Sequence, residues 1–256
     1  MINVGIIGFG YWGPNVARNF NASPEARLTA ICDLRPQRRL VATTTYPFIK
    51  GYSDPSEVIN DPEIDVVAVV TPVSSHYELA RQALLNGKHV FVEKPFTMNS
   101  QQAQDLIDLA ASRDLKIMVD HTFLFTGAVQ KMKETIENGE LGQPLCYDSV
   151  RINLGLFQHD VNVVWDLAPH DFSIMCHLIK DRPVAVSAQG VSHYNGDLED
   201  VAYITVYFEN PHLIAHFHLN WLSPVKIRRT IVSGNRKMIL WDDVAADEKV
   251  KIYDRG

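Results

Sequence analysis

Three groups of residues have the types and spacing needed for chemistry. The first is Gly8-Phe9-Gly10-Tyr11-Trp12-Gly13, a G-x-G-x-x-G run directly after the apolar stretch 4–7. In such a run Gly8 permits a tight turn and Gly10 lets a pyrophosphate approach the backbone. Gly13 lets the next helix pack close to the strand, and that helix's N-terminus supplies oriented N–H donors. Asp33 ends the next strand-like stretch 20 residues beyond Gly13. A carboxylate there accepts from both adenosine ribose hydroxyls and repels a 2′-phosphate, so the pattern favours NAD over NADP. Arg35, Arg38 and Arg39 follow closely and partly offset that repulsion.

The second group is Glu93-Lys94-Pro95, after the apolar stretch 90–92. Ligands of open α/β sheets sit beyond the carboxyl ends of the strands, which places Lys94 beside the cofactor crevice. A free lysine titrates near about 10.4, so acid–base work requires burial or a second cation to lower it. As a permanent ammonium, Lys94 instead hydrogen-bonds a substrate hydroxyl and stabilises a developing alkoxide. A surface lysine after a strand fits the local sequence equally well. The third group is Asp166 and His170 in Trp165-Asp166-Leu167-Ala168-Pro169-His170-Asp171. The pattern predicts a helix with Asp166 as N-cap and Pro169 in the first turn, where its missing N–H is harmless. Residues four apart share a helix face, and a carboxylate beside an imidazole suits a base that removes a hydroxyl proton. A capping Asp next to an unrelated His explains the same residues.

The elements that must position these groups change character near residue 120. Before it, β-branched runs at 4–7, 28–32, 66–70, 90–92 and 117–119 alternate with amphipathic stretches. Leu79, Ala80, Ala83 and Leu84 form one helical face that stops at Asn86-Gly87; Ala103, Leu106, Ile107 and Ala110 form another, capped by Asn99 or Ser100. Such alternation predicts a doubly wound parallel sheet. After residue 120, two helices are marked by Val129, Met132 and Ile136 and by Leu167, Ile174 and Leu178. Strand-like runs then follow in series at 184–191, 201–208, 213–219, 226–232, 238–241 and 250–253, separated by turn-prone residues. The expectation is an α/β chain with a dinucleotide-binding domain over 1–120. A substrate-binding and oligomerisation α+β domain over 121–256 would carry a large, mostly antiparallel open sheet.

Composition excludes other classes. The 256 residues are 46% hydrophobic and 21% charged, ordinary globular values that argue against disorder. The net charge of −6, without a basic block, is unsuited to sequence-independent nucleic-acid binding. Cys32, Cys146 and Cys176 are far apart, so neither a disulfide framework nor a metal site is expected. No apolar run approaches the roughly 18 residues of a membrane span, and no leader pattern precedes the first strand. A cytoplasmic location is expected.

Taken in order, Gly8 to Gly13, Thr71-Pro72 with His76, Asn86-Gly87-Lys88-His89-Val90, Glu93-Lys94-Pro95 and Asp166 with His170 resemble the Gfo/Idh/MocA oxidoreductase family. The resemblance covers the whole chain. It implies a Rossmann domain followed by an α/β domain with a large open sheet, and oxidation or reduction of a sugar or cyclitol carbon with a nicotinamide cofactor. By position it makes Lys94 and His170 the catalytic pair and Asp166 a partner of the substrate or of His170. It also places Thr71, Pro72, His76 and Glu93 on the cofactor side and suggests a cis Lys94–Pro95 bond. Family members usually continue for several tens of residues, so the chain reads as truncated after its last strand.

A narrower resemblance lies in Ser149-Val150-Arg151-Ile152-Asn153-Leu154-Gly155 through Gln158, Asn162 and Trp165-Asp166. It is to the bacterial UDP-N-acetylglucosaminuronate 3-dehydrogenases of surface-polysaccharide synthesis. A substrate with a diphosphate and a carboxylate needs cationic and amide partners, and Arg151, Asn153, Gln158, Lys226, Arg228 and Arg229 supply candidates. Arg151 and the 226–229 cluster also fit solvated strand residues. A dehydrogenase of a free sugar or inositol is the alternative enzyme, and a non-catalytic NAD-binding regulator the alternative of another class. Both alternations of 201–208 are substantially apolar, which predicts a sheet buried on both faces and a homodimer or homotetramer built through it.

Overall fold

The computed structural model describes residues 1–154, 160–194 and 196–255. It divides into two compact units, Met1–Asp120 and His121–Gly256. The first contains β1 (Ile2–Ile7), α1 (Gly13–Ala22), β2 (Ala26–Cys32), α2 (Pro36–Thr45), β3 (Lys50–Tyr52), α3 (Pro55–Asn60), β4 (Val66–Val69), α4 (His76–Leu85), β5 (His89–Val92), α5 (Ser100–Ser112) and β6 (Ile117–Val119). All six strands are parallel, in the order β3-β2-β1-β4-β5-β6. The central strands carry near-continuous apolar runs, 4–7 in β1, 66–69 in β4 and 90–92 in β5, because helices cover both faces. Val67 and Val69 pack into one core with Leu84 and Leu106, while Ala68 packs into the other with Val4, Ile6 and Leu28. The chain reverses winding direction between β1 and β4, the point at which open α/β sheets bind ligands. The local signals perform as expected. Gly87 takes φ 74° behind α4, and Asn99 Oδ1 accepts the Gln102 N–H (3.0 Å) at the start of α5.

The second unit opens with a 3₁₀ turn, Thr122–Phe125, and continues with α6 (Gly127–Glu137), β7 (Pro144–Ile152), α7 (Val163–Leu178), β8 (Pro183–Val191), β9 (Val201–Phe208), β10 (Ile214–Asn220), β11 (Ile227–Gly234), β12 (Lys237–Asp242) and β13 (Val250–Asp254). The sheet order is β13-β12-β11-β7-β10-β9-β8, antiparallel except where β7 meets β10. Ala202, Ile204, Val206 and Phe208 of β9 face inward with Ala215, Phe217 and Leu219 of β10, in one core with Ile174 and Leu178 of α7. The opposite face is the one that the two helices leave uncovered. Within the chain it is open, with Tyr203 56% and Tyr207 43% exposed, and β8 is exposed at every position. No helix among the described residues is long and apolar enough to cross a membrane.

One residue ties α7 to the sheet. Asp171 accepts from Arg151 Nε (2.7 Å) and Nη2 (3.0 Å) and from Ser149 Oγ (3.0 Å), while its backbone carbonyl accepts from Tyr147 Oη (3.4 Å). Tyr147, Ser149 and Arg151 alternate along β7 and therefore point to one face. Arg151 is 3% and Asp171 2% exposed. Removing one member of such a pair strands a buried charge, which costs about 3–5 kcal/mol, whereas an apolar pair of similar volume is often neutral. Asp171→Ala should therefore lower urea-unfolding stability by about 3–5 kcal/mol. The double change Arg151→Met with Asp171→Leu should recover most of that loss. A single change costing under about 1 kcal/mol would contradict this role for the pair.

Candidate active site

In the first unit the glycine loop joins β1 to α1. Gly8 has φ 102°, and a Cβ there would collide with the Val70 carbonyl oxygen at the end of β4; one on Gly13 would lie 2.5 Å from the Gly8 carbonyl oxygen. The fold itself thus requires both. Among the described residues, a Cβ on Gly10 would meet only Arg35 Nη2, at 3.7 Å. Internal packing does not require glycine at Gly10, which fits a backbone kept bare for a phosphate to approach. Helix α1 has no side-chain cap and no acidic residue in its first turn, so its N-terminal N–H groups suit an anion. Phe9 is buried, while Tyr11 and Trp12 are exposed on the loop.

Asp33, just after β2, is 6% exposed. It accepts from the Phe9 N–H (2.9 Å), the Arg35 N–H (2.9 Å), Arg35 Nε (3.0 Å) and Arg35 Nη2 (3.1 Å). Burial works to raise its carboxyl, but the bonds from the Arg35 guanidinium, then from the backbone N–H groups of Arg35 and Phe9, outweigh it and hold Asp33 below the usual carboxylate range. Arg39 Nη1 donates instead to the backbone carbonyls of Asp33 (2.7 Å) and Leu34 (3.1 Å).

The loops after β4 and β5 are joined by His76. It is 1% exposed, with Nδ1 2.8 Å from the Pro95 carbonyl oxygen and Nε2 2.8 Å from that of Thr71. Thr71 Oγ1 pairs with Ser75 Oγ (2.7 Å), which donates to the Pro72 carbonyl (2.8 Å). The Lys94–Pro95 bond is cis, and Lys94 is half-buried. Glu93, next to it, is 8% exposed, and its Oε1 has no hydrogen-bond partner among the described residues. Burial, then the hydrogen bond and charge of Asp120 at the end of β6, push Glu93 up to about 9.

In the second unit α7 starts earlier than the sequence suggests. Its N-cap is Asn162, whose Oδ1 accepts the Trp165 N–H (3.0 Å). Asp166 is thus in the first turn rather than the cap, and Pro169 lies inside the helix, where it cannot donate to the Trp165 carbonyl. Asp166 Oδ2 accepts from the buried indole of Trp221 (3.3 Å). His170, four residues on, meets the edge of Phe123 with ring centroids 5.0 Å apart.

Phe123 gathers the rest of this half. The guanidinium of Arg151 lies 4.8 Å and that of Arg228 5.9 Å from its ring centre, and Trp241 packs against it at 5.9 Å. Sequence spacing gave no signal for Phe123. Asp171 carried one, as an acidic residue directly after His170, but its partner became visible only in the fold. Arg151, expected at the substrate, has its guanidinium committed to Asp171. Arg229 pairs with Asp242 (2.8 Å) and Lys226 is exposed. Arg228 lies 3.6 Å from Asp243 and keeps a buried Nε without a partner among the described residues. Asn153 is half-buried just past β7, and Gln158 lies outside the described residues.

Two family models match the chain. One, described as an oxidoreductase family with an NAD-binding Rossmann fold, covers residues 2–121, and the GFO/IDH/MocA C-terminal domain covers residues 129–240. The myo-inositol 2-dehydrogenase of Thermotoga maritima is 29% identical over 74% of this chain and 58% of its own length. The scyllo-inositol 2-dehydrogenase (NAD(+)) of Bacillus subtilis is 29% identical over 74% and 57%. The chain thus spans less than two thirds of either. The UDP-N-acetylglucosamine 3-dehydrogenase of Acidithiobacillus ferrooxidans is 26% identical over 100% of this chain and 78% of its own. Its solved structure superimposes with a TM-score of 0.87 at 25% identity, covering 100% and 81%.

The Glu93 environment has a measurable consequence. Native Glu93 keeps its proton up to about pH 9, whereas an ordinary glutamate releases it near 4.5. Between those values the native state binds more protons than the unfolded chain, so this group's contribution to stability falls as pH rises. Glu93→Gln copies the neutral carboxyl. Melting curves at stepped pH should show the variant gaining Tm relative to wild type from about pH 4.5 to about pH 9. A constant difference across that range would mean that Glu93 is ionised in the folded protein.

Proposed function

This chain belongs to the Gfo/Idh/MocA oxidoreductase family, and we propose that it is an NAD-dependent dehydrogenase of a sugar carbinol carbon, acting at the 3-position of a UDP-linked N-acetylhexosamine or its uronate. The observation that carries the reading is the glycine loop. Two of its glycines are demanded by packing, while a Cβ on Gly10 would make only an ordinary contact with Arg35 Nη2 among the described residues. Gly8 to Gly13 and the N-terminus of α1 would hold the pyrophosphate, and Asp33 the adenosine ribose. When bound, NAD supplies a hydride acceptor.

The remaining work falls to side chains. His170 takes the hydroxyl proton, with the edge of Phe123 limiting how its ring can turn. Lys94, as an ammonium, hydrogen-bonds a substrate hydroxyl and stabilises a developing alkoxide. The Nε of Arg228, buried and without a partner among the described residues, lies on the same phenyl ring as His170 and supports an anionic group on the substrate, since charge-assisted hydrogen bonds are the strong ones. The open sheet face with Tyr203 stacked on His218 at 4.4 Å supports assembly as a homodimer or homotetramer. The inositol dehydrogenases among the relatives favour a second reading, a free cyclitol or sugar as substrate.

A turnover panel separates these readings. NADH formation should be seen with UDP-linked N-acetylhexosamines or their uronates, and should drop by at least about 10²-fold with the bare sugar, which forfeits the remote binding energy of the nucleotide. Turnover of inositols but not of UDP-sugars would establish the second reading. NAD binding without turnover on any member would leave a non-catalytic binder.

A further inference from the structure

The carboxylate assigned above to the adenosine ribose is already full. Asp33 has about four acceptor positions, and all four are taken. Two donors are backbone, the N–H groups of Phe9 and Arg35. The other two are Nε and Nη2 of the Arg35 guanidinium, one on each carboxylate oxygen. The two pairs differ in permanence. Backbone donors are fixed by the glycine loop and the start of α2, while the Arg35 side chain is 57% exposed against 6% for Asp33. Among the described residues beyond its chain neighbours, the same Nη2 is the one atom within 4 Å of where a Gly10 Cβ would lie. The guanidinium therefore lies between the ribose acceptor and the phosphate cradle, which is the ground an adenosine ribose must cover.

We propose that Arg35 is a cofactor-discriminating residue that serves as a built-in stand-in for the ribose diol, giving way to NAD and turning to meet the 2′-phosphate of NADP. The inference rests on the dinucleotide reading of the glycine loop. The fork of Arg35 offers Asp33 two adjacent donors, as a cis-diol does, so NAD must displace it to gain the same bonds. An exposed ion pair is weak, so the penalty on NAD is modest. For NADP the balance reverses. A 2′-phosphate has no donor for Asp33, and a displaced guanidinium supplies the bidentate cation it needs. Arg39 cannot substitute without leaving the two carbonyls it holds.

Titration calorimetry with NAD and with NADP on the full chain tests this in wild type, Arg35→Ala and Arg38→Ala. The backbone N–H at position 35 survives the substitution, so Asp33 keeps its two fixed donors. Arg38 is exposed one turn along α2, and its removal changes the net charge equally. Arg35→Ala should tighten NAD by roughly 2–10-fold and weaken NADP by about 10-fold or more, while Arg38→Ala moves NAD by less than about 2-fold. The proposal is overturned if Arg35→Ala fails to tighten NAD or fails to weaken NADP, or if Arg38→Ala has the same effect. Binding of neither dinucleotide to wild type would overturn the underlying cofactor reading as well, whereas NAD binding that ignores Arg35 overturns this proposal alone.

Discussion

The second unit depends on one buried residue, Asp171, which three residues of one strand share: Ser149 and Arg151 at its carboxylate and Tyr147 at its backbone carbonyl. Tyr147, Ser149 and Arg151 all reach Asp171, so the rotation of α7 about its axis is set by hydrogen bonds rather than by apolar packing alone. Apolar contacts are non-directional, and a helix held only by them can roll with little cost. Bidentate pairing in a dry interior has a sharp optimum. Asp171 directly follows His170, so the bond that fixes the helix also fixes the direction in which the imidazole leaves it. The Asn162 cap and the Trp221 bond to Asp166 set the same helix from its first turn. Pro169 sits in the middle of that turn sequence, and the helix continues past it because the neighbouring contacts are so heavily specified.

The first unit uses a similar pair for an opposite purpose. Asp33, like Asp171, is buried and bound in two places by a guanidinium. The difference lies in the arginine, 3% exposed for Arg151 and 57% for Arg35. An arginine buried with its carboxylate is a permanent structural element, since parting the two strands a charge in low dielectric. One that reaches a buried carboxylate from solvent can be exchanged for another donor. On the proposed reading, burial of the cation, not the geometry of the bond, separates a scaffold from a binding site here.

Much of this was legible in the chain because local signals and tertiary demands agree in the first unit. Strands covered on both faces must be continuous apolar runs, and the turns between them need Gly8, Gly13 and Gly87 for steric reasons, so composition alone marks them. The second unit is less legible at its centre. Strand β7 carries Asp148, Ser149 and Arg151, a polar texture unlike a core strand, yet it is the middle strand of the sheet because Asp171 satisfies Ser149 and Arg151 while Asp148 accepts from Cys146 Sγ. The start of α7 was misplaced by four residues because Asp166 and Pro169 imitate a cap and first turn, while the true cap, Asn162, sits after a stretch without periodicity. Phe123 was illegible, since its importance comes from four residues distant in sequence. Apolar residues alternate on both sides of β9 although helices cover only one, a pattern that points to burial of the second face in an assembly rather than in one chain.

The central claim is that cofactor capture and proton removal are separate tasks, the first performed by the glycine loop with Asp33 and the second by His170 on a helix fixed through Asp171. Measuring kcat and the NAD dissociation constant together in His170→Ala tests it most directly. The account predicts a fall in kcat of about 10²–10⁴, the usual worth of a positioned base, with NAD affinity unchanged. Undiminished kcat, or a loss of NAD affinity that accounts for the whole effect, would contradict it.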